Sequence, residues 1–248
     1  MLPKGILFDL DDTIIAFDAV ANPTWRRICE EYASKYALFD PDRLYGAINE
    51  VRTWYWSDQN RHKIGRKNLD STRRKIVRLA FEKLEVDPIS LAHEMADTYS
   101  VQREKLIQFF PKAEDTLNYL TAHKVSLALM TNGDARKQRD KVRRFRLERF
   151  FKTILIEGEL GYGKPEEAVY LRALDDLALN PAEVWSVGDH LEWDVAAPQK
   201  LGIFGIWNDF KEKGLPHSSP IVPDRIINSI GELVEGLSNP CCAETRGQ

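Results

Sequence analysis

Residues 6–13 read Ile-Leu-Phe-Asp-Leu-Asp-Asp-Thr, an apolar run that stops abruptly in three carboxylates. The run has strand character, and alternate residues of a strand share a face, so Asp9 and Asp11 are expected to point the same way beyond its end. At roughly 6 Å apart and an effective dielectric of ~20 their repulsion is of order 3 kcal/mol, which a bound divalent cation would more than offset. Acidic residues also follow strands simply because Asp suits turns, so the pair takes its meaning from what accompanies it.

Three further segments accompany it, each after a short apolar run. Residues 125–130 lead into Thr131-Asn132-Gly133, a hydroxyl followed by a turn and a helix start whose free amides suit a phosphate oxygen. Taken alone this tripeptide is weak, because Asn-Gly is a common turn. Residues 153–156 lead into Gly158-Glu-Leu-Gly161-Tyr-Gly163-Lys164-Pro165. The stretch from Gly158 to Lys164 matches the first seven positions of a P-loop and fails at the eighth, where Pro165 stands in place of the hydroxyl that holds Mg²⁺. Pro165 suits the first turn of a helix, leaving Lys164 at its start, where a lysine can meet both a phosphate and a carboxylate. Residues 184–187 lead into Gly188-Asp189-His190-Leu191-Glu192-Trp193-Asp194. Asp189 could reach the same cation as Asp9 and Asp11, giving three hard oxygen ligands of the kind Mg²⁺ prefers. His190 has no second His or Cys at ligand spacing and is assigned a peripheral role.

The elements that must position these residues follow from periodicity. Strands at 6–10, 125–130, 153–156, 184–187 and 203–206 alternate with helices over 114–123, 136–149 and 165–178 and from about Asp194, which predicts βαβ units and a parallel sheet covered on both faces. The block 16–109 contains no convincing buried strand. Its apolar residues recur at helical spacing, as in Trp25, Ile28, Cys29 and Tyr32, and again in Ile76, Leu79, Ala80 and Leu84. The expected architecture is an α/β, Rossmann-like parallel sheet core built from 1–15 and 110–237, interrupted by an α-helical domain over 16–109. Residues 226–237 are expected to form a last helix or strand, and 238–248 a disordered tail.

Composition narrows the function. The chain of 248 residues, with 43% hydrophobic and 29% charged residues, is an ordinary globular protein. A formal net charge of -3 gives no electrostatic case for nucleic acid or an anionic membrane, so a small molecule is the expected partner. Cys29, Cys241 and Cys242 lack metal-ligand spacing, and no segment has the ~18 apolar residues that span a bilayer, so a reducing, cytoplasmic setting is the expectation. Arg and Lys occupy eight positions between Arg136 and Arg149, but Val142, Phe145, Leu147 and Phe150 give this run an apolar side, and it reads as a solvated amphipathic helix face. Trp54, Trp56, Arg61, His62 and Lys63 form an aromatic and basic cluster that either closes over an anionic substrate or packs between helices. Packing is the favoured reading. A homodimer is compatible with the sequence.

In order, the four strand ends carry Asp-x-Asp-x-Thr, Thr-Asn-Gly, Gly-Lys-Pro and Gly-Asp-x-x-x-x-Asp. This ordered set closely resembles the haloacid dehalogenase superfamily of aspartate-nucleophile hydrolases, and the block 16–109 resembles the helical cap that its members insert after the first motif. Resemblance to the phosphatase branch implies Asp9 as nucleophile and Asp11 as general acid and base. It also implies Mg²⁺ held by Asp9, the main-chain carbonyl of Asp11 and Asp189, with Thr131, the Asn132 amide and Lys164 gripping the phosphoryl group. Asp194 would orient Lys164 or a metal-bound water, and Thr13 would brace the turn. The expected substrate is a small phosphomonoester. Sugar phosphates, nucleotides, phosphoglycolate and acylneuraminate phosphates are all compatible, and Gly-Asp-x-Leu-Glu-x-Asp leans toward nucleotidase-like and acylneuraminate-phosphatase-like members. A phosphomutase, a dehalogenase and a phosphate-binding scaffold without catalysis are the alternatives. Asp11 argues against a dehalogenase, in which no leaving oxygen needs a proton, and intact Asp9, Asp11 and Asp189 argue against the scaffold.

Overall fold

The computed structural model describes residues 2–36, 40–86 and 89–237. The sheet is six-stranded and wholly parallel, in the order β3-β2-β1-β4-β5-β6. Its strands are β1 (Gly5–Phe8), β2 (Ser126–Thr131), β3 (Thr153–Ile156), β4 (Val184–Gly188), β5 (Phe204–Asn208) and β6 (Arg225–Ile227). β6 starts the segment where a last helix or strand was expected; three residues at a sheet edge leave almost no periodic signal to choose between the two. The segment after it turns through a 3₁₀ helix at Ile230–Leu233. The tail expected over 238–248, with Cys241 and Cys242, lies outside the described residues.

Period-2 alternation sorts the central strands onto two faces. Ile6, Phe8, Leu127 and Leu129 pack with Leu117 and Leu120 of α6 (Ala113–Ala122) and Val142 of α7 (Ala135–Arg144). Leu7, Ala128 and Met130 pack on the other face with Val169, Tyr170, Leu174 and Leu177 of α9 (Glu167–Leu177). The short α8 (Glu157–Leu160) and α10 (Ala197–Gln199) complete this layer. Helix α9 begins two residues after Pro165, which therefore lies in a turn outside its first helical residues. The helix expected from Asp194 is a π-helical turn, Leu191–Ala196, that runs into α10.

The block between β1 and α6 is all helical: α1 (Ala21–Tyr36), α2 (Pro41–Ser57), α3 (Gln59–Gly65), α4 (Leu69–Lys83) and α5 (Ile89–Leu106). Side-chain oxygens of Asp40, Asp58 and Asn68 accept from the amides of Arg43, Arg61 and Ser71 and so start α2, α3 and α4. Trp25, Ile28, Cys29 and Tyr32 pack against Leu44, Ile48, Val77, Phe81, Met95 and Tyr99. On α4 the buried stripe is Arg73, Ile76, Val77, Ala80 and Phe81, rotated from the expected one, so that Leu79 and Leu84 are only half-buried. Two strands of chain join this block to the sheet and pair through Ala16 N to Gln108 O and Phe110 N to Ile14 O. Asp12, in the left-handed region at φ 64°, ties the first of these down, its carboxylate accepting from the amides of Phe17, Asp18 and Ala19.

Candidate active site

In the order 3-2-1-4-5-6 the direction in which successive strands are added reverses between β1 and β4, and ligands of such sheets bind beyond the carboxyl ends at that point. A cavity of about 330 Å³ lies there, bounded below by Asp9, Asp11, Thr131, Lys164 and Asp189 and reached from the helical block by Trp56, His62, Arg66 and Arg73.

Lys164 organises the floor. Its buried Nζ donates to Asp9 Oδ1 and Asp194 Oδ1, both at 2.7 Å. Its backbone is pinned by Asn132, whose Nδ2 donates to Lys164 O (2.6 Å) and whose Oδ1 accepts from Lys164 N (2.9 Å). The Asn132 side chain thus positions a lysine, a use the weak tripeptide signal could not specify. Asp194 Oδ2 accepts from His190 N at 3.0 Å. Gly188 permits this, because a Cβ there would collide with the Asp194 carboxylate.

One carboxylate oxygen each from Asp9, Asp189 and Asp194 lies within 4.8 Å of the others. Three carboxylates therefore face one ammonium. Burial, opposed by Lys164 and reinforced by Asp194, pushes the Asp9 carboxyl up to about 7. Burial together with Asp9 and Asp194 raises Asp189 well above the ordinary carboxylate range. Burial works against the Lys164 charge, but Asp194 and Asp9 hold its pKa well above the lysine value. Asp9 Oδ2 is buried and has no hydrogen-bond partner among the described residues. A surplus of two negative charges, hard oxygen donors and an orphaned oxygen fit a divalent cation of the Mg²⁺ type.

Asp11 lies apart from this cluster. Its carboxylate accepts from Lys141 Nζ at 2.8 and 2.7 Å and from Gln138 Nε2 at 3.0 Å, and the same Gln138 nitrogen donates to Thr131 Oγ1. The expectation that Asp9 and Asp11 aim their carboxylates at one spot therefore fails. β1 ends at Phe8, so strand alternation does not carry as far as Asp11, and Lys141 draws its side chain toward α7. The basic helix is amphipathic as expected, with Val142 buried, but its polar side is not all solvated: Gln138 and Lys141 are buried too. Spacing three apart on the helix after Thr131-Asn132-Gly133 was the available signal. Thr13 is buried with its Oγ1 unpartnered among the described residues, so no hydrogen bond from its hydroxyl braces the turn.

Two more polar groups escaped the sequence reading. Asp12 is buried, and burial together with Asp18 pushes its carboxyl up to about 7. Glu157, fully buried, accepts from Gly133 N (2.9 Å) and receives both arms of Arg66 from the α3–α4 turn at 2.8 and 2.7 Å. Of the aromatic and basic cluster, Trp56 and His62 line the cavity, with His62 edge-on to Trp193 at 5.5 Å. Trp54 is half-exposed under Arg61. His190 stacks on Trp193 at 4.0 Å.

A parallel sheet with a helical block inserted after the first strand, and aspartates converging at its switch point, defines a class of hydrolases. The family model for haloacid dehalogenase-like hydrolases matches residues 6–207, and the chain belongs to that family. Glyceraldehyde 3-phosphate phosphatase of Methanopyrus kandleri is 26% identical over 240 residues, covering 94% of this chain and 96% of its own. N-acylneuraminate-9-phosphatase of Rattus norvegicus is 24% identical over 259 residues, covering 96% and 95%. In fold, the chain resembles the HAD-hydrolase YfnB of Bacillus subtilis, solved bound to magnesium, with a TM-score of 0.71 at 20% identity, covering 94% and 98%.

Proposed function

We propose that the protein is a Mg²⁺-dependent phosphomonoester hydrolase that works through an aspartyl phosphate on Asp9. The carrying observation is the state of Asp9: Oδ1 is fixed by Lys164, the buried Oδ2 has no hydrogen-bond partner among the described residues, and the residue lines a cavity of about 330 Å³, enough for a small metabolite. The phosphatase names of the curated relatives support the same chemistry.

In this reading Asp9 Oδ2 attacks phosphorus as the ester P–O bond breaks, and the leaving oxygen takes a proton from Asp11. Asp11 then takes a proton from water as that water attacks phosphorus and releases Asp9, giving the alcohol and inorganic phosphate. Lys141 and Gln138 both donate to the Asp11 carboxylate, so they set its orientation toward the leaving oxygen. Lys164 and Thr131 hold the phosphoryl oxygens as charge redistributes, joined by the Asn132 amide. Asp9, Asp189 and the main-chain carbonyl of Asp11 would hold the cation, with Asp194 beside them. Such a cation, when bound, supplies charge neutralisation that lets an anionic ester approach a carboxylate.

Release of inorganic phosphate from a panel of phosphomonoesters, with Mg²⁺ and with a chelator, tests this. Turnover that needs Mg²⁺ and disappears in Asp9→Asn is the expected result. Undiminished turnover in Asp9→Asn would overturn the nucleophile assignment.

A further inference from the structure

Helix α4 presents a buried apolar stripe through Ile76, Val77, Ala80 and Phe81, and Arg73 occupies the same stripe with only 4% of its surface exposed. An arginine brings five donors and a permanent charge to such a place, and buried charges are normally paired. Arg73 is poorly paired. Nη1 donates to Ser100 Oγ at 3.0 Å, and that hydroxyl already donates to Ala96 O. The nearest carboxylate oxygen, on Asp70, is 3.7 Å away, half-exposed, and hydrogen-bonded to Lys137 at 2.8 Å. Nη2 has no hydrogen-bond partner among the described residues.

The surroundings compensate only in part: the guanidinium lies 5.4 Å from the centre of the Tyr99 ring, a contact that favours the charge but supplies no acceptor for Nη2. Arg103, also buried, is committed to Phe17 O and Asp18, so it adds a second positive charge beside Arg73 and brings no acceptor for it. Burial first, then the Arg103 charge, pushes Arg73 down to about 10. Arg66, by contrast, has its own carboxylate in Glu157. Arg73 lines the same cavity as Asp9 and Lys164, among Trp25, Ile76 and Tyr99.

We propose that Arg73 recognises a carboxylate on the substrate, so that the protein acts on phosphorylated carboxylic acids in preference to esters of neutral alcohols; this rests on the phosphomonoesterase reading above. The poorly paired guanidinium of Arg73 calls for a monoanion, and the Trp25, Ile76 and Tyr99 walls around it disfavour a second dianionic phosphate. A planar carboxylate supplies acceptors to a guanidinium nitrogen that otherwise has none. Since the site is built to hydrogen-bond this group, an analogue lacking it leaves a buried donor unpaired, which is a strong basis for discrimination.

The test uses matched pairs differing only in the carboxylate. Hydrolysis of phosphoglycolate against ethyl phosphate, and of 3-phosphoglycerate against glycerol 3-phosphate, is read as a ratio of kcat/KM. Binding of 3-phosphonopropionate against propylphosphonate, which cannot be hydrolysed, is measured by calorimetry with Mg²⁺. We expect at least a tenfold preference for the carboxylate member in binding and in one ester pair. Arg73→Met should bring the ratio close to one, and Arg73→Lys, which keeps the charge, should retain part of it. A purely structural Arg73 would lower both members together and leave the ratio unchanged. Equal binding of the two phosphonates, or no binding of the carboxylate member, overturns the proposal even if Arg73→Met fails to fold, because the native protein alone supplies that result. Carboxylate-selective binding with no ester hydrolysed would instead sink the phosphatase reading and leave the subsite standing.

Discussion

Asp11 shows how one lysine decides what a carboxylate can do. Lys141 is buried and holds both Asp11 oxygens, although burial itself pulls the lysine below its ordinary value. We expect Lys141→Met to leave Asp11 held by Gln138 alone at the cavity edge and to lower kcat by about 10²-fold, the scale of a misplaced general acid. KM should change far less, because Asp9, Lys164 and Thr131 are untouched. Steady-state phosphate release checks this, and an unaltered kcat would detach Lys141 from the reaction. Gly188 makes a second residue-scale case. Gly188→Ala places a methyl where the Asp194 carboxylate sits, so Lys164 should lose one of its two carboxylates and activity should fall with little change in fold. Wild-type rates in that variant would show that Asp194 is dispensable.

At the scale of elements, the helical block is fastened to the sheet by a few polar links. Arg66 reaches from the turn before α4 to Glu157 at the start of α8, which in turn holds Gly133 N after β2. Removing one partner of a buried pair leaves an uncompensated charge. Arg66→Ala should therefore cost about 2 to 3 kcal/mol in urea unfolding, at the low end because Lys67 stands 3.9 Å from Glu157. Arg74→Ala, which loses a pair with both partners half-exposed, should leave the unfolding midpoint where it is. His62 makes the same junction sensitive to pH. Burial, the Arg66 charge and His190 hold its imidazole below the ordinary value of 6.5. A depressed base binds protons more readily once undocked, so its contribution is present above about pH 6.5 and declines as pH falls through it. Tryptophan fluorescence should follow this transition, since Trp56 and Trp193 both contact His62, and His62→Gln should flatten it. An identical titration in the variant would exclude His62 as the cause.

For the whole molecule, the three carboxylates gathered from Asp9, Asp189 and Asp194 would make stability depend on a cation bound among them. They come from the ends of β1 and β4 and from the turn after β4, so a cation bound among them ties together distant parts of the chain. At a hundredfold excess over Kd, such a ligand contributes about 2.7 kcal/mol, several degrees in Tm for a chain of this size. Mg²⁺ should therefore raise Tm in native protein and much less in Asp189→Asn. A Tm indifferent to Mg²⁺ in the native protein would argue against a cation at this cluster.

The alternation of apolar runs and helical periods determined the parallel sheet, the helical block after β1 and the four strand ends that line the site. Each of these depends on local spacing along the chain, which a sequence displays directly. Tertiary structure alone decided the partners. That Asp11 faces Lys141 while Asp9 faces Lys164, that Asn132 grips a backbone 32 residues away, and that Glu157 meets Arg66 are long-range pairings. A charged residue reads the same in a sequence whether it is solvated or buried, as the basic helix shows. Arg139 and Arg143 of α7 form ion pairs with carboxylates that are themselves partly exposed, whereas Lys141 on the same helix turns inward. Only packing reveals which charge the fold has removed from water and which carboxylate it has placed there to meet it.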